Sequence, residues 1–365
     1  MKRVKVGVIG CGNISAAYLK ASKTFPILDL VALADMNPQA SAARAAEFGI
    51  GVRSVEETLA DPKIEIILNL TVPKAHVEVG LRALAAGKHV HSEKPLGVTV
   101  AEARKLSAAA NAKGLRLGCA PDTFLGGAQQ RARQCVDDGL IGAPVGGTAF
   151  FMCPGHERWH PSPAFYYLPG GGPMLDMGPY YVTALVNLLG PVDTVVGVAT
   201  RTRSERTIAS EPLKGTRIPV EVATHVTGVM HFVTGAAVSV TMSFDVLSHK
   251  HVPIEIYGET GSLIVPDPNN FDGDVQISTV RNEWRTVATR RPYADANYRI
   301  LGLADMAHAI RAGRPHRASG ELALHALEVM EAFQTSSDSG AAVKIASRPE
   351  RPAPMPEKLR KGRLD

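Results

Sequence analysis

Apolar residues in the first third of the chain fall into short continuous runs, separated by longer segments in which they recur every third or fourth place. The runs "VKVGVIG" (4–10), "LDLVALAD" (28–35), "IEIILNLTVP" (64–73), "HVHSEKP" (89–95) and "LRLGCAP" (115–121) predict buried strands. Between them, a stretch from about Ile14, the alanine-rich "PQASAARAAEFG" (38–49), "HVEVGLRALAAG" (76–87) and "VAEARKLSAAANAKG" (100–114) predict helices. Strands alternating with helices of this length imply a parallel sheet with helices on both faces. "DDGLIGAP" (137–144) closes a connecting helix, and after about residue 145 the period changes. "VATHVTGVMHFV" (222–233) and "AAVSVTMSFDV" (236–246) alternate in steps of two, and "VPIEIYGETGSLIV" (252–265) reads as two strands about a glycine turn. Such alternation predicts an antiparallel sheet with one buried face. A last helix, "SGELALHALEVMEAFQTSSDSG" (319–340), takes Ser319 as N-cap and Glu321 in its first turn. The expected organisation is an α/β domain over residues 1–122, an α+β domain with a mainly antiparallel sheet over 123–345, and a basic, Pro-rich tail over 346–365.

Composition supports that division. With 365 residues, 45% of them hydrophobic, the chain is long enough for two cores. The net charge of +5 suggests nucleic acid only until it is located. Arg348, Arg351, Lys358, Arg360, Lys361 and Arg363 stand against Glu350, Glu357 and Asp365, so most of the excess lies in the tail, read here as a solvated terminus. No aromatic residues interleave with that charge, so no nucleic-acid partner is expected. Cys11, Cys119, Cys135 and Cys153 show no paired spacing, which suits a reducing compartment. The N-terminal apolar run is too short for a signal peptide and leads straight into a glycine motif, and no segment could span a bilayer. A cytoplasmic protein without a membrane partner is expected.

Candidate chemistry starts at "GVIGCGNIS", where Gly10-x-Gly12 follows a strand and precedes a helix. Glycines in that context let backbone N–H groups approach a pyrophosphate held at a helix N-terminus. Ser15 stands where the pattern has its third glycine. Asp35 ends the second strand 25 residues after Gly10, where an acid accepts hydrogen bonds from a ribose 2′-OH and repels a 2′-phosphate. No arginine follows until Arg44, so NAD is expected over NADP. Gly10, Gly12, Asn13, Ile14, Asp35 and Met36 are the candidate cofactor contacts of this half.

"SEKP" (92–95) closes a predicted parallel strand, at the edge where ligands bind in open α/β sheets. Lys94 there could orient a substrate hydroxyl or lower a neighbour's pKa; the plainer reading is an exposed turn. "GGGPMLDMGPYY" (170–181) then sets Asp176 and Tyr180 four residues apart on one helix face, behind three glycines that leave room for close approach.

Gly10-x-Gly12, Asp35, "VP" followed by His76, Glu93-Lys94-Pro95 and "GGGPMLDMGPYY" together resemble the glucose–fructose oxidoreductase, inositol dehydrogenase and MocA family, from the N-terminus to about residue 340. The resemblance implies a Rossmann domain followed by a domain built on a large open antiparallel sheet. It also implies sugar, cyclitol or related polyol substrates, and homodimers or homotetramers formed through that sheet. Carried over by position, Lys94 resembles the catalytic lysine and Asp176 the acid of the second-domain helix. Thr71, Pro73 and His76 resemble a loop beneath the cofactor, with Glu93 and Lys94 beside it. Four residues after that acid many members have His; this chain has Tyr180, as some glucose–fructose oxidoreductase and dihydrodiol dehydrogenase relatives do.

Oxidising a secondary alcohol requires a group to take the hydroxyl proton while hydride leaves carbon. A free phenol, with a pKa near 10, is a weak base, but a neighbouring ammonium favours its phenolate. The expected roles are Tyr180 as proton acceptor and donor, Lys94 as its electrostatic partner and substrate anchor, and Asp176 as an orienting acceptor, with Lys94 as the alternative base. Ahead of the helix, "CPGHERWHPSPAFYYLPGGG" (153–172) offers His156, Trp159 and His160 as sugar contacts, backed by Tyr166 and Tyr167. Two readings compete there: a metal site on Cys153, His156 and His160, disfavoured by the flanking Pro154 and Pro161, and simple packing of a domain junction. A redox-assisted glycosidase and a non-catalytic NAD-binding regulator are the functional rivals.

Overall fold

The computed structural model describes residues 2–365. Five strands, β1 (Val4–Ile9), β2 (Leu28–Ala34), β3 (Ile66–Asn69), β4 (His89–Ser92) and β5 (Leu117–Cys119), form a parallel sheet in the order β2-β1-β3-β4-β5. Its helices are α1 (Ser15–Ser22), α2 (Pro38–Phe48), α3 (Val55–Ala60), α4 (His76–Ala85) and α5 (Val100–Ala112). Strand order reverses between β1 and β3, which opens a crevice at their carboxyl ends. The central strand β3 buries every residue: Ile66, Ile67 and Leu68 are fully enclosed, as continuous apolar runs in a doubly covered sheet require. The sequence pattern missed α3, although Ser54 and Glu57 make a complete capping box at its start.

The second sheet follows α6 (Gly127–Asp137). It begins with β6 (Pro144–Met152), and α7 (Pro173–Leu189) crosses its inner face. The chain continues through β7 (Val192–Thr200), the two-stranded ribbon β8 (Glu205–Thr207) and β9 (Arg217–Pro219), then β10 (His225–Phe232) and β11 (Ala237–Ser243). β12 (Ile254–Gly258), β13 (Ser262–Val265), β14 (Val275–Val280) and β15 (Glu283–Val287) complete one side. After α8 (Leu301–Ala312) and α9 (Gly320–Ser339), β16 (Val343–Lys344) adds to the other edge. The nine strands run in the order β15-β14-β13-β12-β6-β11-β10-β7-β16, antiparallel throughout except for the parallel pair β6–β11. One face is sealed by α7, whose residues from Met177 to Leu189 are all buried; the other exposes Val196, Val198 and Val229.

Chain order and spatial grouping part company after α8. That helix packs on β5 of the first sheet, and Arg311 donates to the carbonyls of Lys2 and Arg3. α9 starts at Ser319, whose side chain accepts from Leu322 N, and packs against both α5 and β7. The tail is not the solvated terminus that its charge suggested. Met355 and Leu364 are buried, and Arg133, Arg291 and Arg317 donate to the carbonyls of Pro352, Met355 and Ala353. Three of its six basic side chains are paired locally: Arg348 with Asp193, Arg351 with Asp137 and Lys361 with Asp295. Composition counted the tail's charges but carried no information about their partners.

Candidate active site

The turn after β1 shows why glycine is required there. Gly10 has φ +104°, and a Cβ on it would come within 2.5 Å of the Leu70 carbonyl at the end of β3. A Cβ on Gly12 would meet nothing within 4 Å, and Gly12, Asn13 and Ile14 are exposed at the mouth of the crevice. That open backbone ahead of α1 fits a dinucleotide pyrophosphate. Ser15, in the third glycine's place, is fully buried and donates its hydroxyl to Gly12 O at 2.6 Å. Asp35 ends β2 and accepts from Cys11 N at 2.7 Å and Asn37 N at 2.8 Å, leaving lone pairs for a ribose. Met36 is 96% exposed and touches none of this. Arg44 does: its Nε donates to Ser15 Oγ at 3.1 Å, and Nη2 lies 3.4 Å from Gly12 O. Nine residues of sequence separation hid a cation that α2 folds back onto the glycine turn.

The remaining predicted contacts divide into free groups and struts. Thr71 donates its hydroxyl to Asn69 Oδ1 at 2.7 Å, and Pro73 starts the short turn before α4. His76 is buried with Nδ1 2.7 Å from Pro95 O and Nε2 2.9 Å from Thr71 O. Burial pushes the imidazole toward its neutral form, whose single N–H bonds one of the two carbonyls while the ring stays wedged between both loops, so it braces them rather than offering a free nitrogen. Glu93 is likewise engaged, accepting from Tyr18 Oη at 2.7 Å and from Lys94 N at 2.8 Å.

Lys94 leaves the first sheet beside a cis Lys94–Pro95 peptide and reaches the second domain. Its Nζ donates to Asp176 Oδ1 at 2.9 Å and Asp176 O at 2.6 Å. Burial works against the lysine charge, but Asp176, Tyr180 and Glu93 together raise its pKa well above the usual value. Burial likewise opposes the Asp176 charge, yet Lys94 and His156 hold that carboxyl down at about 2. His156 Nε2 sits 3.0 Å from Asp176 Oδ2, while Trp159 Nε1 donates to His156 Nδ1 at 3.2 Å. Indole is only a donor, so Nδ1 is the acceptor and Nε2 carries the proton given to Asp176. His156 is thus an orienting partner of the carboxylate, a relation the spacing did not reveal. The metal reading of this loop finds no support in the geometry: among the described residues no cluster of His, Cys, Asp or Glu is placed to hold an ion.

Asp176 and Tyr180 do share one face of α7, but Tyr180 meets Lys94 through its ring. The ammonium lies 5.1 Å from the ring centroid, and Tyr180 Oη instead faces Arg299 Nη2 at 3.4 Å. One of the three glycines also has a packing role. A Cβ on Gly171 would strike the carbonyls of Phe165 and Tyr166 at 2.4 and 2.6 Å, so this glycine is needed for packing against the preceding turn. Tyr181 points into the core, as its position about 100° around the helix requires.

The loop carrying His156 and Trp159 is held from beneath. Arg206, on β8, donates to Glu157 Oε1 at 2.8 Å and Phe244 O at 3.0 Å and pairs with Asp245; Tyr167 donates to Glu157. Tyr166 packs on His156 with centroids 4.5 Å apart, and Trp159 remains 61% exposed. His160 packs edge-on against Trp159 and Tyr166, with centroids 5.3 and 5.4 Å away, and its Nδ1 accepts from Ser162 N at 3.0 Å. A cavity of about 440 Å³ lies behind the glycines, walled by Val98, Met174, Val222, Met330 and Phe333. None of Lys94, Asp176, Tyr180 or His156 lines it, so the chemistry belongs to the domain junction instead. Sequence reasoning missed Arg206 and Arg299, which sit in stretches without periodicity, and set Arg44 aside as too far from the acid.

A doubly wound dinucleotide domain, joined by a lysine–aspartate pair to an open mixed sheet, defines a two-domain nicotinamide-dependent oxidoreductase. Known proteins agree. The family model described as oxidoreductase family, NAD-binding Rossmann fold (GFO/IDH/MocA) matches residues 4–120, and the GFO/IDH/MocA C-terminal domain matches residues 129–264. The chain belongs to this family and is an NAD(P)-dependent oxidoreductase acting on CH–OH groups, built on an NAD-binding Rossmann domain. It is 27% identical over 346 residues to 1,5-anhydro-D-fructose reductase of Ensifer adhaerens, covering 93% of this chain and 98% of that protein. It is 24% identical over 335 residues to levoglucosan dehydrogenase of Pseudarthrobacter phenanthrenivorans, covering 83% and 85%. A levoglucosan dehydrogenase structure in complex with NADH and L-sorbose superposes with TM-score 0.83 at 21% identity, covering 95% and 100%, a likeness that speaks to the fold. No helix among the described residues is long and apolar enough to cross a membrane.

Proposed function

We propose that the chain transfers hydride between NAD and a ring secondary alcohol of a sugar, glycoside or cyclitol, with Lys94, Asp176 and Tyr180 as its working groups. The reading rests on one observation: Lys94 of the first domain is bonded to Asp176 of the second, at the carboxyl edge of the dinucleotide sheet and beside Tyr180. Bound NAD supplies the hydride acceptor. Lys94, kept charged by Asp176, anchors the substrate oxygen; Tyr180 takes the hydroxyl proton in oxidation and returns it in reduction. Trp159, exposed above His156, offers an aromatic face to the ring of a sugar. The names of the Ensifer and Pseudarthrobacter relatives place those proteins on anhydro sugars, which favours the same substrate class here.

A panel of sugars, glycosides and inositols scanned for NADH formation tests the reading. At least one ring alcohol is expected to be oxidised, and Tyr180→Phe is expected to lower the rate of that oxidation by about 10²-fold or more. A glycosidase using NAD catalytically would cleave its substrate without accumulating NADH. An unimpaired Tyr180→Phe would hand the proton to Lys94.

Assembly into dimers or tetramers through the open sheet face belongs to the same proposal. Val196, Val198 and Val229 are at least 40% exposed there, and Val196 pairs directly with Val229. A Val196→Glu, Val198→Glu variant is expected to sediment as a smaller species than the parent.

A further inference from the structure

Arg299 lies just ahead of α8, in a stretch without sequence periodicity, and its placement is enforced. The next residue, Ile300, is fully buried and has φ +115°, a conformation that a β-branched side chain strongly disfavours. Asp122 Oδ2 holds it there by accepting from Ile300 N and Gly302 N, both at 2.9 Å. The result is a guanidinium aimed at α7. Arg299 Nη2 donates to Asn269 Oδ1 at 2.6 Å and lies 3.4 Å from Tyr180 Oη. Among the described residues no carboxylate is within salt-bridge reach of Arg299, and Tyr180 Oη is the ionisable group its guanidinium meets directly.

The other cation at Tyr180 is already neutralised: Lys94 stands over the ring but is paired with Asp176. Further charges face this spot. Tyr166 lies near Asp176 and Tyr180; Glu93, Tyr18 and Asp122 approach Arg299 from the first domain; Asp267 approaches from the loop before β14. Glu93 and Asp122 are committed to the hydrogen bonds already described, and Asp267 accepts from Asn269 N.

We propose that Arg299 is a further catalytic residue, stabilising the negative charge on Tyr180 Oη from which that oxygen takes the substrate's hydroxyl proton. The proposal rests on Tyr180 being the proton acceptor. In oxidation the phenolate takes the proton, the C–H bond gives its electron pair as hydride to NAD, and the C–O bond becomes a carbonyl; Arg299 stays protonated throughout. Reduction runs the same transfers backwards. Asp122 and the strained Ile300 act as positioning residues for the guanidinium.

The test is an ultraviolet pH titration of tyrosinate in the NAD-loaded protein, with the contribution of Tyr180 isolated by subtracting the Tyr180→Phe trace. Arg299→Gln is expected to move that component to higher pH by at least one unit. The acid limb of kcat/KM for the best substrate in the panel should shift with it, while NAD affinity stays within about twofold. Arg299→Lys keeps a cation on a shorter reach and serves if the glutamine variant does not fold; its shift should have the same sign and be smaller. A component that stays in place in every folded variant, with activity scaled equally at all pH, overturns the proposal. Tyr180→Phe with full activity would instead overturn the reading of Tyr180 beneath it.

Discussion

Asp35 and Arg44 face the same glycine turn with opposite charge, so cofactor choice depends on both. Asp35 favours a ribose hydroxyl, whereas Arg44 provides a cation that a 2′-phosphate could use once the acid is gone. Asp35→Ala is therefore expected to shift the NADP-to-NAD preference ratio by about tenfold or more, and Arg44→Ala in that background to reverse much of it. The ratio of kcat/KM for the two cofactors reads both. Lys94 poses a second residue-scale question. Lys94→Ala should lower turnover by about 10²–10⁴-fold while NAD affinity, read by fluorescence titration, is nearly unchanged. Removing the lysine also leaves a buried Asp176 supported only by His156, so a lower melting temperature is expected with it. Cofactor affinity falling in parallel with turnover would contradict the assigned roles. Lys94, Asp176 and Tyr180 were legible because short motifs name them. Arg299 was not, because a single arginine in an unpatterned loop acquires meaning only from what lies across from it.

At the scale of elements, periodicity located the five strands of the first sheet and two hairpins of the second, β10–β11 and β12–β13, but not β6, β7, β14 or β15. It passed over α3 and α8, although a capping box and a 3.6-residue repeat were there to be read. Residues 201–221 carry no such signal, and they matter most for the substrate loop. Arg206, 2% exposed and set between Glu157 and Asp245, fastens the loop that presents His156 and Trp159. Arg206→Met strands two carboxylates, one of them nearly fully buried, and should cost about 3–5 kcal/mol of stability. In protein that still folds, KM for the sugar should rise more than kcat falls, since the loop orients the substrate and the reacting groups lie elsewhere. An equal loss of kcat with unchanged KM would place the loop in the chemistry instead.

For the whole molecule, the three histidines whose protonation burial opposes most link stability to pH. Burial depresses His91 to about 3, and His316 and His325 to about 4, from an ordinary value of 6.5. Each folded value lies below the unfolded one, so the unfolded chain takes up protons first. Stability is then lost as pH falls from about 6.5 toward 4, by roughly 1 kcal/mol per histidine per pH unit. The melting temperature should drop steadily between pH 7 and 5, and His91→Leu should flatten that slope, because both ring nitrogens of His91 are buried without partners. A slope unchanged by the substitution would remove His91 from the account.

The amino-acid sequence by itself determined the two textures of the chain, the glycine turn with its acid, and the lysine, aspartate and tyrosine of the site. Each piece is legible locally, as a run of apolar residues, a spacing of four, a glycine turn or a strand end. Tertiary structure alone decided what those groups face. It turned the phenol from the lysine toward Arg299, gave His156 to Asp176, folded Arg44 back to the turn and packed the tail against α6 and α8. Each of these is a contact between residues distant in the chain, fixed by the packing of sheets and helices, and no local pattern encodes which distant side chain will close it.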